Sequence, residues 1–139
     1  MRRKSARSGS SVIELVLISP WIFFLFIGAL DWGFYSSALI SVEAAARSAA
    51  LYASSSASAS SDSSGARDIV VKELANVPNV KDDNPVVTAT ALTAASSPDG
   101  ASAATQVSVQ YTTISLIPLP GLLKQQFTFT RIVTMRVRT

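Results

Sequence analysis

The pattern along the chain begins with an apolar run. Residues 15–30 carry no charge, and only Ser19, Pro20 and Gly28 interrupt them. Extended back to Val12 and on through Trp32 to Tyr35, the run reaches the ~20 helical residues that a bilayer core requires. Trp32 and Tyr35 stand where an aromatic belt would meet the far interface. Leu39, Val42, Ala46, Ala49 and Ala50 then recur at helical three- and four-residue steps, and alanine is the strongest helix former. Glu43 and Arg47 stand at the favourable i,i+4 spacing. A helix over 10–53 would be about 66 Å long at ~1.5 Å per residue, roughly twice the hydrocarbon thickness. Its outer half, 36–53, is expected to leave the membrane and carry the remainder of the chain. Pro20 is expected to kink this helix or loosen one turn, because it lacks an N–H and crowds the carbonyl four residues back. Gly28 and Gly33 would permit close approach of another helix.

The polar half has different periods. Residues 54–64 are serine- and alanine-rich and read as a flexible linker. Residues 62–64 offer caps for a short helix over 65–77, with Ala66, Ile69, Val70, Leu74 and Val77 on one face. Pro78 and Asn79 end it, and 81–85 form a polar turn. Three strands then alternate in period two: 86–93, 106–115 and a last one in which Phe127, Phe129, Val133, Met135 and Val137 share a face. Arg131 falls on that apolar face, so it is expected near an edge or beside an acid. Pro98-Asp99-Gly100 marks a turn. The apolar, proline-bearing stretch 117–124 reads either as a loop folded on the core or as a greasy tip for a membrane or partner. The expected fold is α+β: a long N-terminal helix, a short helix, and a three-stranded antiparallel sheet covered by the short helix or by the end of the long one.

Charge and composition narrow the classes. The chain is 139 residues long, with twelve basic and nine acidic residues. Four of the bases, Arg2, Arg3, Lys4 and Arg7, precede the apolar run; without them eight bases face nine acids, and no basic stripe for nucleic acid remains. Their position predicts a cytoplasmic N-terminus by the positive-inside bias. There is no cysteine and no histidine, which removes disulfides, thiol chemistry and the commonest general base and metal ligand. Asp82 and Asp83 lack the further oxygen ligands of a calcium loop, and no serine has a histidine to activate it. No catalytic residue, metal, cofactor or small-molecule substrate is expected. A cleaved secretory signal would need a small-x-small site; the one candidate, Ala29, has bulky Ile27 two residues before it.

Glu14 breaks the apolar pattern. A carboxylate in a membrane helix costs about 2.5–3.5 kcal/mol at the centre and less near the interface. Either it stays wet at headgroup level, or it is held for a partner. A cut between Gly9 and Ser10 would free an amine on Ser10 and make Glu14 the fifth residue of the shortened chain. A neighbouring chain's Glu14 pairing with that amine would fix the register of packed helices.

A short basic leader, Gly9, four residues and Glu14, then an apolar helix, resembles the processing site of type IV prepilins. Ser11-Val12-Ile13-Glu14-Leu15, Pro20, Asp31-Trp32-Gly33 and Glu43-Ala44-Ala45-Ala46-Arg47-Ser48-Ala49-Ala50 resemble the TadE-like proteins. These are minor pilins or pseudopilins of the tight-adherence (Flp, type IVc) pilus. Asp31 stands where glutamate is more common in that family, and Leu15 where major Flp pilins favour tyrosine, which implies a minor subunit. The resemblance implies a pilin-like fold with leader 1–9, transmembrane helix 10–35, its continuation 36–53, linker 54–64 and an extracytoplasmic head 65–139. It implies cleavage at Gly9–Ser10, assembly through Glu14, and Asp31, Gly33, Glu43 and Arg47 as family signature. The implied partners are a prepilin peptidase, other minor and major pilins, the inner-membrane platform and assembly ATPase, and the lipid bilayer, with a role in pilus assembly. The alternative is an unprocessed single-pass anchor with an extracytoplasmic binding domain; an enzyme on a membrane anchor is disfavoured by the missing histidine and cysteine.

Overall fold

Alanine and valine at helical spacing build the largest element, α1 (Ser8–Ala53), 46 residues long. The computed structural model describes residues 8–100, 102–114 and 126–138, with side chains from residue 11 onward. Arg2, Arg3, Lys4, Arg7 and the apolar stretch 117–124 lie outside the described residues. After α1 come α2 (Ser63–Glu73), β1 (Val86–Leu92), β2 (Ala104–Thr112) and β3 (Thr128–Arg136). The strands form one antiparallel sheet in the order β1-β2-β3. The architecture is the expected one: long helix, short helix, three-stranded sheet. The chain divides into two compact units, Met1–Phe34 and Tyr35–Thr139.

The second unit holds the core. Ala38, Val42, Ala45, Ala46, Ala49, Ala50 and Ala53 line one face of α1 and are buried. They join Ala66, Val70 and Leu74 of α2 with Val87, Ala89, Val107, Val109 and Tyr111 of the sheet in a single cluster. Both helices therefore cover the inner face of the sheet. Small side chains on α1 let its backbone approach closely, so packing there rests on fit more than on side-chain bulk. On β1, Val87 and Ala89 point inward as expected, whereas Ala91 is exposed. On β3 the inward set Phe129, Arg131, Val133 and Met135 alternates with exposed neighbours. Ring contacts tie β3 inward: Phe129 packs on Tyr35 and Tyr111 at centroid distances of 5.7 and 5.6 Å.

The short helix is shifted relative to the sequence pattern. It starts two residues earlier than expected because Asp62 caps it, accepting from Ser64 N at 3.1 Å and Gly65 N at 3.0 Å. It stops at Glu73 rather than Val77. Val77 precedes Pro78, whose ring disfavours the helical conformation in the residue before it, and Asn79 then turns left-handed at φ 66°. Leu74 and Val77 keep their apolar contacts through turns after the helix end.

Residues 54–64 are not a free-running linker. Ala59–Ser61 form a 3-10 turn, with Ala59 and Ser60 buried. Ser60 O accepts a buried hydrogen bond from Thr105 Oγ1 at 2.8 Å, and Ser54 O accepts from Arg138 N at 2.8 Å. Small residues, suited to a linker by composition, are equally suited to a tight wrap against β2. Ser63 Oγ accepts from Ala89 N at 2.9 Å, so the start of α2 occupies part of the open edge of β1.

Asp62 also binds α1. Tyr52 Oη donates to it at 2.8 Å and Ser64 Oγ at 2.6 Å. A Cβ on Gly65 would fall 2.5 Å from both Asp62 Oδ2 and Tyr52 Oη, so this close approach demands glycine. The hydrogen bonds from Ser64, Gly65 and Tyr52 lower the Asp62 carboxyl from 3.8 to about 2, and the carboxylate in turn raises the Tyr52 phenol. A depressed carboxyl contributes stability above its unfolded pKa and loses it as pH falls through the folded one. Between about pH 4 and pH 2 the head should therefore lose more thermal stability in the native chain than in Asp62→Asn. Thermal melts followed by circular dichroism across that range check this; equal pH dependence in both proteins would deny Asp62 the role.

The turns match the sequence. Gly100 N bonds Ser97 O at 3.0 Å and Gly100 has φ 62°, a left-handed position that favours glycine. Asp99 accepts from Ser97 Oγ at 2.7 Å and pairs with Arg136 at 2.5 Å. Lys81 and Asn84 close the polar turn through two backbone hydrogen bonds of 2.7 and 3.2 Å.

Candidate functional site

The chemistry anticipated from the sequence lies along α1. Its backbone is helical from Ser8, so the Gly9–Ser10 bond lies in its first turn. Glu14 comes four residues after Ser10, one helical turn or about 6 Å of rise. Glu14 is exposed, among Ile13, Leu15, Val16 and Leu17, each exposed by about two thirds.

Between Val12 and Phe34 the large apolar side chains are exposed, apart from the half-buried Ile27. A helix that is apolar all round requires an apolar environment. The described part of α1 is long and apolar enough to cross a membrane, and none of its most apolar window is buried in the protein. This one N-terminal helix is compatible with a membrane anchor. Pro20 sits inside α1, and helical structure continues on both sides of it. Proline supplies no N–H, so the carbonyl of Val16 receives no helical hydrogen bond from residue 20. A Cβ added at Gly28 or Gly33 would meet nothing within 4 Å, so both glycines open onto free surface.

The signature residues divide between the units. Asp31 and Gly33 belong to the first. Asp31 Oδ2 is buried and has no hydrogen-bond partner among the described residues. Glu43 and Arg47 belong to the second and form the expected i,i+4 ion pair at 2.5 Å. Both are well exposed to solvent, which limits such a pair to a few tenths of a kcal/mol, about 0.3–0.5. Trp32 is 70% exposed. Tyr35 is half-buried instead, stacked edge-on against Phe127 and Phe129 at 5.7 Å each. Its spacing of three and seven residues from Ala38 and Val42 was the available signal that it continues the buried stripe.

Arg131 lies on β3, an edge strand as expected, and its Nε is buried without a partner among the described residues. A polar cleft of about 310 Å³ lies beside Asn79, Lys81, Asn84, Gln110 and Thr112. The sequence pattern marks its asparagines only as residues of turns. Asn84 accepts from Thr112 N and donates to Asn79 O and Thr112 O, and Asn79 donates to Thr112 O. They clamp the turn to β2, which leaves little of their hydrogen-bonding capacity for a ligand. Arg67 similarly ties α2 to the carbonyls of Lys81 and Asp82. Among the described residues no group of three or more acidic side chains is placed to hold a metal ion.

Residues 9–51 match the family model of the TadE-like proteins. The matched segment runs from Gly9 through Glu14, Pro20, Asp31, Gly33, Glu43 and Arg47. Neither a curated protein nor a solved structure matches the chain.

Proposed function

We propose that this chain, TadE-like over residues 9–51 and so associated with the Tad pilus system, is a minor pilin or pseudopilin that takes part in assembling the pilus. In this reading a prepilin peptidase cuts between Gly9 and Ser10. The shortened helix stays in the cytoplasmic membrane, N-terminus inward, and packs with helices of other minor and major pilins. Glu14 sets the register by meeting the Ser10 amine of a neighbour. The unit after Phe34 lies outside the cytoplasm. The protein acts as a structural subunit rather than an enzyme, alongside the membrane platform and assembly ATPase.

One observation carries this reading: a carboxylate one turn past Ser10, on a helix whose surrounding surface is otherwise apolar and exposed. A plain anchor gains nothing from a charge there, since each such residue opposes insertion. The test is the N-terminus of the mature protein, read by mass spectrometry in cells with and without the prepilin peptidase. A peptidase-dependent start at Ser10 supports the proposal. An intact N-terminus in both strains would replace it with the unprocessed anchor.

A further inference from the structure

The core is closed less well along β3 than along β2. The inward residues Val107, Val109 and Tyr111 of β2 are buried, whereas Phe129, Arg131, Val133 and Met135 of β3 are all half-buried. The middle strand has a neighbour on each side, and β3 has one on a single side. We propose that β3 pairs with a fourth strand supplied by another protein, an extended segment that carries a carboxylate for Arg131.

The backbone of β3 defines the shape that fits. Thr113 N donates to Phe127 O at 2.9 Å, and Val137 N to Ala103 O at 3.0 Å. The odd-numbered residues of β3 therefore turn their N–H and C=O toward β2. Thr128, Thr130, Ile132, Thr134 and Arg136 turn theirs to the open edge. Among the described residues nothing bonds those outward backbone groups. Arg138 is next in the series, and its N donates to Ser54 O at 2.8 Å. The edge thus already takes one rung from a segment outside the sheet. Edge strands are ordinarily guarded by shortness, proline, a bulge or an inward charge. β3 runs nine residues with no proline and an unbroken register, and Arg131 is the one charge among its inward residues.

Arg131 selects the partner. Its Nε–H is buried and has no acceptor among the described residues, and neither ion pair between them involves it. An uncharged or basic strand laid on this edge would cover the guanidinium further and leave its charge unmatched. A strand with aspartate or glutamate on its helix-facing side supplies an acceptor and a countercharge together. Phe129 and Val133 flank Arg131 on that side, so the acid stands among apolar residues in the matching strand. The surroundings agree in sign. Residues 104–139 contain no acid, and Arg138 lies exposed past the end of β3. Arg136 is already paired with Asp99.

The same charge argument sets aside this chain's own strands. Residues 104–139 offer no carboxylate, and neither does β1, whose edge is held in part by Ser63 Oγ on Ala89 N. Two β3 edges paired antiparallel meet a second obstacle. Tyr35 packs on Phe127 and Phe129, and Ser54 meets Arg138, so β3 runs in the same direction as α1. Antiparallel pairing would point the two copies of α1 in opposite directions. Copies anchored through α1 in one membrane, as proposed above, cannot adopt it.

The test uses the full chain in nanodiscs of uncharged lipid, with empty nanodiscs as the blank. The probe is a fluorescent peptide, Val-Thr-Val-Thr-Glu-Thr-Val-Thr-Val, and binding is read by anisotropy. Companion peptides replace the glutamate with lysine or glutamine. Two more keep the glutamate and are N-methylated at every valine or at every threonine, which blocks one peptide edge or the other. The glutamate peptide should bind about tenfold or more tighter than the lysine peptide, equivalent to ~1.4 kcal/mol. One of the two methylated peptides should lose binding by a similar factor, since main-chain pairing uses a single edge. Arg131→Glu should reverse the preference between glutamate and lysine, and Arg131→Gln should erase it, with matching melting curves to show that the head is folded. The peptide comparisons on the native chain stand without either variant. No binding of the glutamate peptide, equal binding of all three central residues, or indifference to both methylations overturns the proposal. So does a preference for glutamate that persists in folded Arg131→Gln.

Discussion

Replacing Glu14 by glutamine is expected to leave the protein in the membrane and remove it from the assembled structure. The two effects separate because the carboxylate acts on them in opposite directions. On an isolated chain its charge opposes insertion, by up to about 2.5–3.5 kcal/mol if deep in the bilayer and less near the headgroups. Glutamine lessens that opposition, so the level of membrane-bound protein should be unchanged or raised. In a packed array the carboxylate is worth keeping only if a neighbour supplies a cation, and in a low-dielectric environment a charge-assisted hydrogen bond is among the stronger contacts available. Its loss should lower co-purification with other pilin subunits by at least about tenfold, which corresponds to ~1.4 kcal/mol. On the proposed reading, cleavage after Gly9 is the internal control, since it would show that the variant reaches the peptidase. Glu14→Asp shortens the reach by one methylene and should recover part of the assembly, as a charge requirement predicts. Crosslinking and co-purification from membranes read both results. Normal incorporation of Glu14→Gln would show that assembly does not depend on the carboxylate, and would overturn its proposed role in setting the register.

Much of this arrangement was legible because it is local. The end of α1 at Ala53 comes from an alanine-rich helical pattern giving way to serine, and the sheet from period-two alternation in segments too short for helices. The turn at Gly100 comes from Pro98-Asp99-Gly100. Glu14 stood out because one charge in an apolar run is expensive wherever the helix lies. The features that escaped the sequence are set by contacts distant along the chain. Serines at 54–64 fit a linker by composition, and only Thr105, 45 residues beyond Ser60, reveals that the segment is bound. Tyr35 fits an interfacial belt until Phe127 and Phe129 are placed against it. Asn79 and Asn84 look like ordinary turn residues, yet both are fixed by Thr112 from the middle strand. In each case a small or polar side chain permits two environments, and the partner's position decides between them.

The head itself is expected to be most sensitive at Leu74. Leu74→Ala should destabilise it by about 2–5 kcal/mol, toward the upper end of that range. A domain of this size commonly has roughly 5–15 kcal/mol of stability in total, so the variant should melt at a markedly lower temperature. Leu74 is fully buried and, after Tyr111, the largest fully buried side chain of the core. It stands just past the end of α2, where its N–H bonds Val70 O at 2.9 Å. Alanine keeps that backbone bond, so the loss is one of packing alone. The cost of a large-to-small change depends on how far the surroundings collapse into the space. Here the cluster is dominated by alanine and valine; alanine has no rotamer to change, and valine is held to few. The cavity should therefore persist. Leu51→Ala is the matched comparison, because Leu51 lies on the opposite face of α1 and is 59% exposed; its effect on folding should stay within about 0.5 kcal/mol. Thermal and denaturant unfolding of the full chain in lipid nanodiscs measures both. If the two variants melt alike, Leu74 does not fill the core as its burial indicates, and the seating of α2 on the sheet has to be redrawn. If Leu74→Ala alone is destabilised, and restored by Leu74→Met, which nearly conserves volume, the tight contact of both helices with the sheet is what keeps the head folded.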